Sequence, residues 1–335
     1  MAPVDSILTD SIDTDEKELQ KLHGVLDILL LDRTTGSNII WATNDYGHLG
    51  ESFSFYKSIQ PELITDEHAK IIQPRILKHP HQQQKRSREM AEVFTPAWVC
   101  NHQNNLVDEA WFGVSDVFNH ENDDHTWFSH QKPQFPENKR LNDYISDKRI
   151  EITCGEAPYL VSRYDATTGE KIEIGQRIGL LDRKLWAINA LTPDDSPELA
   201  PAKRKLLKRE WRRKVYRAYK SIYGFEWQGD NLLLAREALF ISLIEYYQAK
   251  WKTHKLPQSD FLLKIAEIIS WNIWQMDGLK YGIPGYIPVE TSGAELFPDD
   301  IQPEKRLCRI MNWDNIDALK GEKCKFKELL TSEKA

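Results

Sequence analysis

The sequence predicts a soluble protein of the α/β class, and three observations support that class. β-Rich runs alternate with long amphipathic stretches through residues 149–276. No stretch approaches the roughly 18 consecutive apolar residues that a membrane span requires. A chain of 335 residues, 41% hydrophobic and 28% charged, is long and apolar enough to bury a sizeable core. Alternating strands and helices favour βαβ units around a parallel sheet.

Composition also limits the compartment and the partners. Cys100, Cys154, Cys308 and Cys324 are widely spaced and form no CxxC pair, so we expect a reduced, cytoplasmic protein without a zinc module. The acidic, polar N-terminus is unlike a signal peptide. The net charge of −7 argues against non-specific adhesion of the whole chain to nucleic acid, although a local basic face is compatible with it.

The first half of the chain is less regular than the second. Its apolar runs 25–32 and 38–43 predict a strand, a turn and a strand. Residues 117–148 contain two prolines and few aliphatic side chains, which predicts a long loop. The change in character after this loop divides the chain into an N-terminal α+β region, residues 1–145, and a second region, residues 146–335.

The second region has the clearer pattern. One helix, over 197–224, has its apolar residues at steps of three and four, and Gly224 is expected to end it. Ser259 is the expected N-cap of a later helix. The remaining predicted elements are a strand at 149–154, a short strand after Gly224, helices at 229–251 and 259–270, and a strand at 271–276.

Each of the three predicted strands ends at or near a residue that is suited to contact a ligand. The first leads into Gly155, where a missing side chain lets the backbone approach a ligand. The second ends at Glu226, whose carboxylate can accept two hydrogen bonds from a ribose diol. The third ends at Asp277, which can accept from an exocyclic amine. Because ligands of open α/β sheets lie beyond the carboxyl ends of the strands, this order suits a nucleoside-type cofactor. Turn or capping roles are the alternative for each residue taken singly.

Residues 90–280 resemble the gamma-type amino-methyltransferases of bacterial restriction–modification systems, which methylate adenine N6 in DNA. The matching segments are "EVFTP", "EITCGEAPYL", "GFEWQGDNLLLAR" and "NIWQMDGL". The resemblance implies a Rossmann-like core that binds S-adenosylmethionine: its loop takes the methionine end, Glu226 the ribose and Asp277 the adenine. The implied cofactor-binding residues are Phe94, Thr95, Pro96, Glu151, Cys154, Gly155, Glu226 and Asp277.

The loop departs from the family pattern at one point. Ala157 stands where the family has its second glycine, and Pro158 follows it. Alanine favours a negative φ and proline lacks a backbone donor, so we expect a loop of a different shape.

The family's N-P-P-Y/F motif, which holds the flipped target base, does not occur in this sequence. The nearest strings are "GIPGYIP", with Tyr286, and "CRIMNWD", in which Asn312 and Trp313 are weak catalytic candidates. The chain therefore resembles the cofactor half of a divided, incomplete methyltransferase core. A partner subunit is expected to bring NPPY and DNA recognition, and the chain alone is expected to be inactive.

A basic stretch over residues 203–220 contains ten Lys or Arg with interleaved aromatic residues. Clustered cations on one helix can contact the DNA backbone, which makes candidates of Arg209, Arg212, Arg213 and Arg217. A solvated helix face is the alternative. The shorter run 85–89 raises the same two interpretations.

Other patterns carry weaker hypotheses. The stretch 120–130 contains His120, Asp123, Asp124, His125 and His130, but its composition favours a solvated loop over a metal site. "PDDSPELAPAKRK" is similar to a nuclease metal motif with poor spacing. The alternatives to a methyltransferase subunit are therefore a non-catalytic nucleic-acid-binding or regulatory scaffold and, third, a nuclease.

Overall fold

The computed structural model describes residues 11–22, 24–90, 92–196, 198–284, 307–316 and 320–331, and its architecture is mixed α/β. Tyr286 and the rest of residues 285–306 lie outside the described residues. The helices of the described part are α1 (Glu16–Gln20), α2 (Val25–Leu30), α3 (Pro80–Glu89), α4 (Ala97–Phe112), α5 (Leu141–Ser146), α6 (Leu180–Leu191), α7 (Pro201–Lys220), α8 (Gly229–Trp251), α9 (Ser259–Asn272) and α10 (Phe326–Thr331). The strands are β1 (Asn119–Glu121), β2 (Trp127–Ser129), β3 (Arg149–Glu151), β4 (Ile222–Glu226), β5 (Ile273–Gln275), β6 (Arg309–Asn312) and β7 (Glu322–Lys325).

A three-stranded parallel sheet, in the order β3-β4-β5, forms the centre of the second region. Its register pairs Arg149 with Ile222 and Gly224 with Ile273. Two short antiparallel hairpins, β1–β2 and β6–β7, accompany it. The sequence prediction of parallel strands joined by helices is confirmed, although β3 and β5 are shorter than the predicted strands and β4 begins earlier than predicted.

Gly224 does not end a helix, so that prediction was wrong. α7 ends at Lys220, and Gly224 lies inside β4, where every residue is buried. A Cβ at this position would approach the Sγ of Cys154 to 3.3 Å and the Cδ1 of Ile273 to 3.4 Å. The glycine therefore lets Cys154 pack tightly against the middle strand.

The run 25–32 forms helix α2 and not the predicted strand, so that prediction was also wrong. Val25, Leu26, Leu29 and Leu30 are fully buried and have the spacing of one helix face. That face packs against α9. The following run contributes only isolated bridges, Leu31 to Asn38 and Ile40 to Ser58. A short apolar run fits either helix or strand, and here tertiary packing decided for the helix.

Residues 117–148 are more ordered than the predicted loop. They contain the β1–β2 hairpin and α5, and they bury a group of aromatic rings instead of aliphatic side chains. Phe118 and Phe135 both lie against Tyr144, with ring centroids 5.3 and 5.5 Å apart. A pattern search for aliphatic residues misses a core of this kind.

The long helix α8 connects the two regions of the chain. It is buried on nearly all sides, and the Gly229 amide at its start donates to the Trp41 carbonyl at 2.9 Å. A Cβ on Gly229 would lie 2.0 Å from the Ile40 oxygen, so only glycine permits this approach. The hydrophobic core includes residues from both sides of position 145. Among the described residues no helix, α8 included, combines the length and apolar content needed to cross a membrane.

The outer strands of the sheet, β3 and β5, each pair with β4 alone among the residues that the structure describes. In the described part of the chain β3 pairs only with β4, so its outer edge faces no strand. Ile150 and Ile152, near this edge, are 46% and 67% exposed. An unpaired edge with exposed apolar side chains is a surface that a further chain can extend.

Candidate functional site

Gly155, Glu226 and Asp277 lie at or just after the carboxyl ends of β3, β4 and β5, on one side of the sheet that we call the carboxyl edge. The Gly155 amide donates to the Glu226 Oε2 at 2.9 Å. The Met276 amide donates to the Glu226 carbonyl at 2.9 Å, and Asp277 is the next residue. This arrangement follows from the parallel register, which brings all three carboxyl ends to the same side.

The loop after β3 is shaped by left-handed backbone conformations. Thr153, Gly155 and Ala157 have φ values of 47°, 54° and 61°. The expectation that Ala157 would take a negative φ was wrong, because this residue lies in the left-handed region. Its methyl group is fully buried, and its amide donates to the Cys154 carbonyl at 2.7 Å. Tertiary packing therefore offsets the local strain.

Glu151 is the last residue of β3, and its side chain points into the loop that follows the strand. Its Oε1 accepts from the Tyr159 amide at 3.4 Å, whereas its Oε2 is buried without a hydrogen-bond partner. Burial raises the pKa of this carboxyl well above its ordinary value, and the Glu226 charge raises it further. A buried carboxylate oxygen without a partner is costly, so this atom is suited to a cationic or donating ligand group.

Glu226 is buried and anchors the loop to β4. Its Oε2 accepts from Gly155 and its Oε1 accepts from the Gln228 amide at 3.1 Å. Burial raises the pKa of this carboxyl, and the backbone amides of Gln228, Gly155 and Trp227 lower it only in part. Each carboxylate oxygen retains a second acceptor position, so the two oxygens can still receive a diol.

Asp277 organises the turn after β5. Its Oδ1 accepts from the amides of Leu279 at 2.8 Å and Lys280 at 3.1 Å. The Oδ2 is 3.9 Å from the Lys280 ammonium. The side chain is therefore a turn cap, and Oδ2 remains the oxygen with room for a ligand donor.

The predicted FTP element lies against the same loop. The Arg75 guanidinium stacks on the Phe94 ring at 4.2 Å, and the Arg75 amide donates to Glu156 Oε1 at 2.6 Å. Thr95 hydrogen-bonds with the side chain of Tyr159. Pro96 precedes α4 as its N-cap. The structure thus brings Phe94, Thr95 and Pro96 beside the loop that contains Gly155.

The sequence pattern missed two groups at this edge. Glu156 is buried; its Oε2 accepts from the Tyr164 hydroxyl at 2.6 Å, and the bond from the Arg75 amide to its Oε1 ties the loop to the N-terminal region. Arg86 is 2% exposed and donates to Asp230 at 2.9 Å. The sequence offers two interpretations of the basic run 85–89, a solvated face and a DNA contact. Both are wrong for Arg86, because its guanidinium is buried and paired.

Asn312 and Trp313 lie at the opposite edge of the sheet. Trp313 is buried, and its Nε1 donates to the Asn272 Oδ1, at the start of β5, at 2.8 Å. The Asn312 Oδ1 accepts from Lys148, just before β3, at 3.3 Å. The structure therefore does not bring these two candidates to the edge that contains Gly155 and Glu226.

The basic stretch of α7 lies at the far end of α8. The Arg212 guanidinium stacks on Phe261 at 5.0 Å and donates to Gln258 at 2.6 Å. Lys208 lies 5.3 Å from the ring of Trp251, the last residue of α8. Because α8 starts beside Glu226 and rises about 1.5 Å per residue, these contacts are roughly 30 Å from the strand ends. Arg209 and Arg213 contact Glu210 at 4.0 and 3.1 Å, and Arg217 also has an interaction partner.

The histidines of the 120–130 stretch have local partners. His120 contacts Asp116 at 2.8 Å, and His125 stacks on Trp98 at 3.9 Å. Across the residues that the structure describes, His, Cys, Asp and Glu side chains form no group of three or more suited to a metal ion.

No protein-family model, no curated protein and no solved structure matches this chain. The function is therefore inferred from the geometry of the chain's own residues.

Proposed function

We propose that the chain is the S-adenosylmethionine-binding subunit of a cytoplasmic DNA adenine-N6 methyltransferase in a restriction–modification or phage-defence system. The observation that carries the proposal is the shared edge, where Gly155, Glu226 and Asp277 end three parallel strands in the order that the sequence resemblance implies. A Rossmann-like core is the fold proposed for this region, and the three-stranded parallel sheet is consistent with it.

The donor set at the edge fits such a cofactor. The buried, unpartnered Oε2 of Glu151 suits an ammonium group, and the free acceptor positions of Glu226 suit a ribose diol. The Oδ2 of Asp277 suits an adenine amine, and Phe94 supplies an apolar wall. When bound, S-adenosylmethionine would supply an activated methyl group. The role of the chain's residues is to orient the methyl donor and exclude water, without a nucleophilic side chain.

A partner is part of the proposal, because the sequence lacks the N-P-P-Y/F motif that holds a flipped target base in the family that the chain resembles. The lateral edge of β3, next to the Gly155 loop, pairs with no further strand in the described part of the chain and has exposed apolar side chains. A partner strand placed there would lie directly beside the proposed cofactor site. DNA binding is assigned to the assembled enzyme, and the arginines of α7 remain a hypothesis for backbone contact.

The second candidate is a non-catalytic nucleic-acid-binding or regulatory protein on a degenerate methyltransferase scaffold. One observation favours it: both oxygens of Glu226 already accept backbone amides, and Asp277 caps its own turn. In this alternative the acids are structural and no methyl donor binds.

Two measurements test the proposal and separate the candidates. A methyl-transfer assay with labelled S-adenosylmethionine and adenine-containing DNA should show no turnover for the purified chain, and clear turnover would refute the need for a partner. Equilibrium dialysis with the labelled cofactor should show binding. A chain without binding at about 1 mM cofactor, which corresponds to a free energy near −4 kcal/mol, would leave only the scaffold.

A further inference from the structure

A cavity of about 370 Å³ lies between residues 45–49, residues 71–78 and α3, next to the edge described above. Its volume falls in the range of small-molecule sites. Tyr46, Leu49 and Ile71 provide the apolar part of its wall. The polar part consists of Asp45, His48, Gln73, Lys78, Gln82, Lys85 and Arg86.

The acidic groups at this cavity are already saturated with donors. Asp230, fully buried behind the wall, accepts from Tyr46 at 2.9 Å, from Lys78 at 3.3 Å and from Arg86 at 2.9 Å. Burial raises the pKa of Asp230, but the Arg86 and Lys78 charges more than offset it and hold the pKa below its ordinary value. Asp45 accepts from Lys85 and Arg86, each at 2.9 Å.

The basic and amide groups, in contrast, have donors to spare. The Lys78 side chain is 7% exposed and its ammonium, with three N–H groups, makes a single side-chain contact, the one to Asp230. Lys85 makes one hydrogen bond, to Asp45. Within the described part of the chain the Gln73 side chain has no hydrogen-bond partner, and the Gln82 amide nitrogen has none either. The cavity wall therefore presents an excess of N–H donors, two of the groups being cationic.

We infer that this cavity binds a small organic anion, a phosphate monoester or a carboxylate. The charged group would accept from Lys78, Lys85 and Gln73, because a buried ammonium with unused donors gains most from an anionic acceptor. The organic part would lie against Tyr46, Leu49 and Ile71. The cavity is larger than an inorganic ion, which is why an organic substituent is expected. Gly155, Glu226 and Asp277 do not line the cavity, so anion binding there does not depend on the proposed function, although Arg86 of its wall donates to Gln228, just after β4.

Calorimetric titration of the full chain tests the inference with probes that share one ring and differ in charge. Phenyl phosphate and benzoate represent the two anion classes, and benzyl alcohol is the uncharged counterpart. At least one anion should bind with a Kd of about 1 mM or lower, and benzyl alcohol should bind at least tenfold more weakly. The stronger of the two anions identifies the class. Equal binding of the alcohol, or no binding of either anion, would overturn the inference.

Substitutions locate the binding. Lys85→Gln removes a partly exposed cation of the wall, and it should weaken the anion roughly fivefold. Lys264→Gln is the control on a distant helix: Lys264 pairs with Glu267 at 2.7 Å, as Lys85 pairs with Asp45 at 2.9 Å and more loosely with Glu89 at 3.9 Å. Gln73→Leu, which removes no charge and no internal hydrogen bond, should also weaken the anion. Equal affinity of the Lys85, Gln73 and Lys264 variants would show that the anion binds elsewhere.

Discussion

The carboxyl edge of the sheet and the basic helix α7 are both rich in charge, but their charges have different surroundings. At the edge, Glu151 and Glu226 are held by backbone amides and burial raises their pKa, whereas burial of Asp230 is more than offset by Arg86 and Lys78, which hold its pKa below the ordinary value. On α7 the side chains of Arg209 and Arg213 are 76% and 53% exposed and lie beside a neighbouring glutamate. Desolvated charges need dedicated partners, whereas exposed pairs contribute little.

This difference indicates where function is to be sought. The edge retains unsatisfied or partly satisfied acceptors, such as the Oε2 of Glu151. The helix has charges that water and Glu210 already satisfy. A high density of charge in the sequence is therefore a weaker sign of a site than one buried group without a partner.

The largest contrast is expected between two arginines. Arg86→Met leaves Asp230 and Glu92 buried without their main cation, so we expect the free energy of unfolding to fall by about 3–5 kcal/mol. Arg213→Gln should change it by less than about 0.5 kcal/mol. Urea denaturation of both variants measures the difference. Equal losses of stability in the two variants would contradict the conclusion that the Arg86 charge is buried and paired whereas the Arg213 charge is solvated.

Glu237 tests the same rule with a change that should stabilise the protein. Its carboxyl is fully buried, both oxygens lack a hydrogen-bond partner, and burial raises its pKa well above the ordinary value. Glu237→Met should therefore increase the free energy of unfolding by about 1–3 kcal/mol. Glu210→Met, on the surface of α7, is the control and should be nearly neutral. A lower melting temperature for the Glu237 variant would mean that the buried carboxyl has a stabilising partner.

The pH dependence of stability should be of intermediate size. Burial raises the pKa of Asp13 from 3.8 to about 6 and that of Glu16 from 4.5 to about 8. A raised pKa means that the folded state binds the proton more tightly, so this stabilisation is present below the ordinary pKa and is lost as pH rises toward 8. Glu16→Gln should reduce the loss between pH 6 and 8 by on the order of 1 kcal/mol. Urea midpoints at a series of pH values measure it, and parallel curves for variant and wild type would refute the role of Glu16.

The smallest effect is expected from the arginines of α7. Arg212→Gln combined with Arg213→Gln should change the slope of log affinity for DNA against log salt by less than one, because both side chains have internal partners. A slope that falls by about two would show that both contact phosphate. In that case the helix is a DNA surface and the comparison with the carboxyl edge fails.

The parts of the fold that local sequence determines were predictable. A β-branched run followed by glycine predicted β3 and its loop, apolar residues at steps of three and four predicted α7, and long apolar stretches predicted α8 and α9. Non-local pairing was not predictable: Arg86 and Asp230 are 144 positions apart, and no local signal joins them. The short run 25–32 was assigned to the wrong element, since its spacing fits both structures until α9 packs against it. The metal and nuclease hypotheses stay predictions, and neither has support from the geometry.

The central claim is that the carboxyl edge binds a sulfonium nucleoside, and titration calorimetry with S-adenosylmethionine tests it most directly. We expect saturable binding to the wild-type chain, weakening of about tenfold for Glu226→Gln, and no change for Arg213→Gln. Circular dichroism of the Glu226 variant shows whether its fold is intact. No binding at millimolar cofactor, or equal affinity of the wild-type chain and a folded Glu226 variant, would contradict the account.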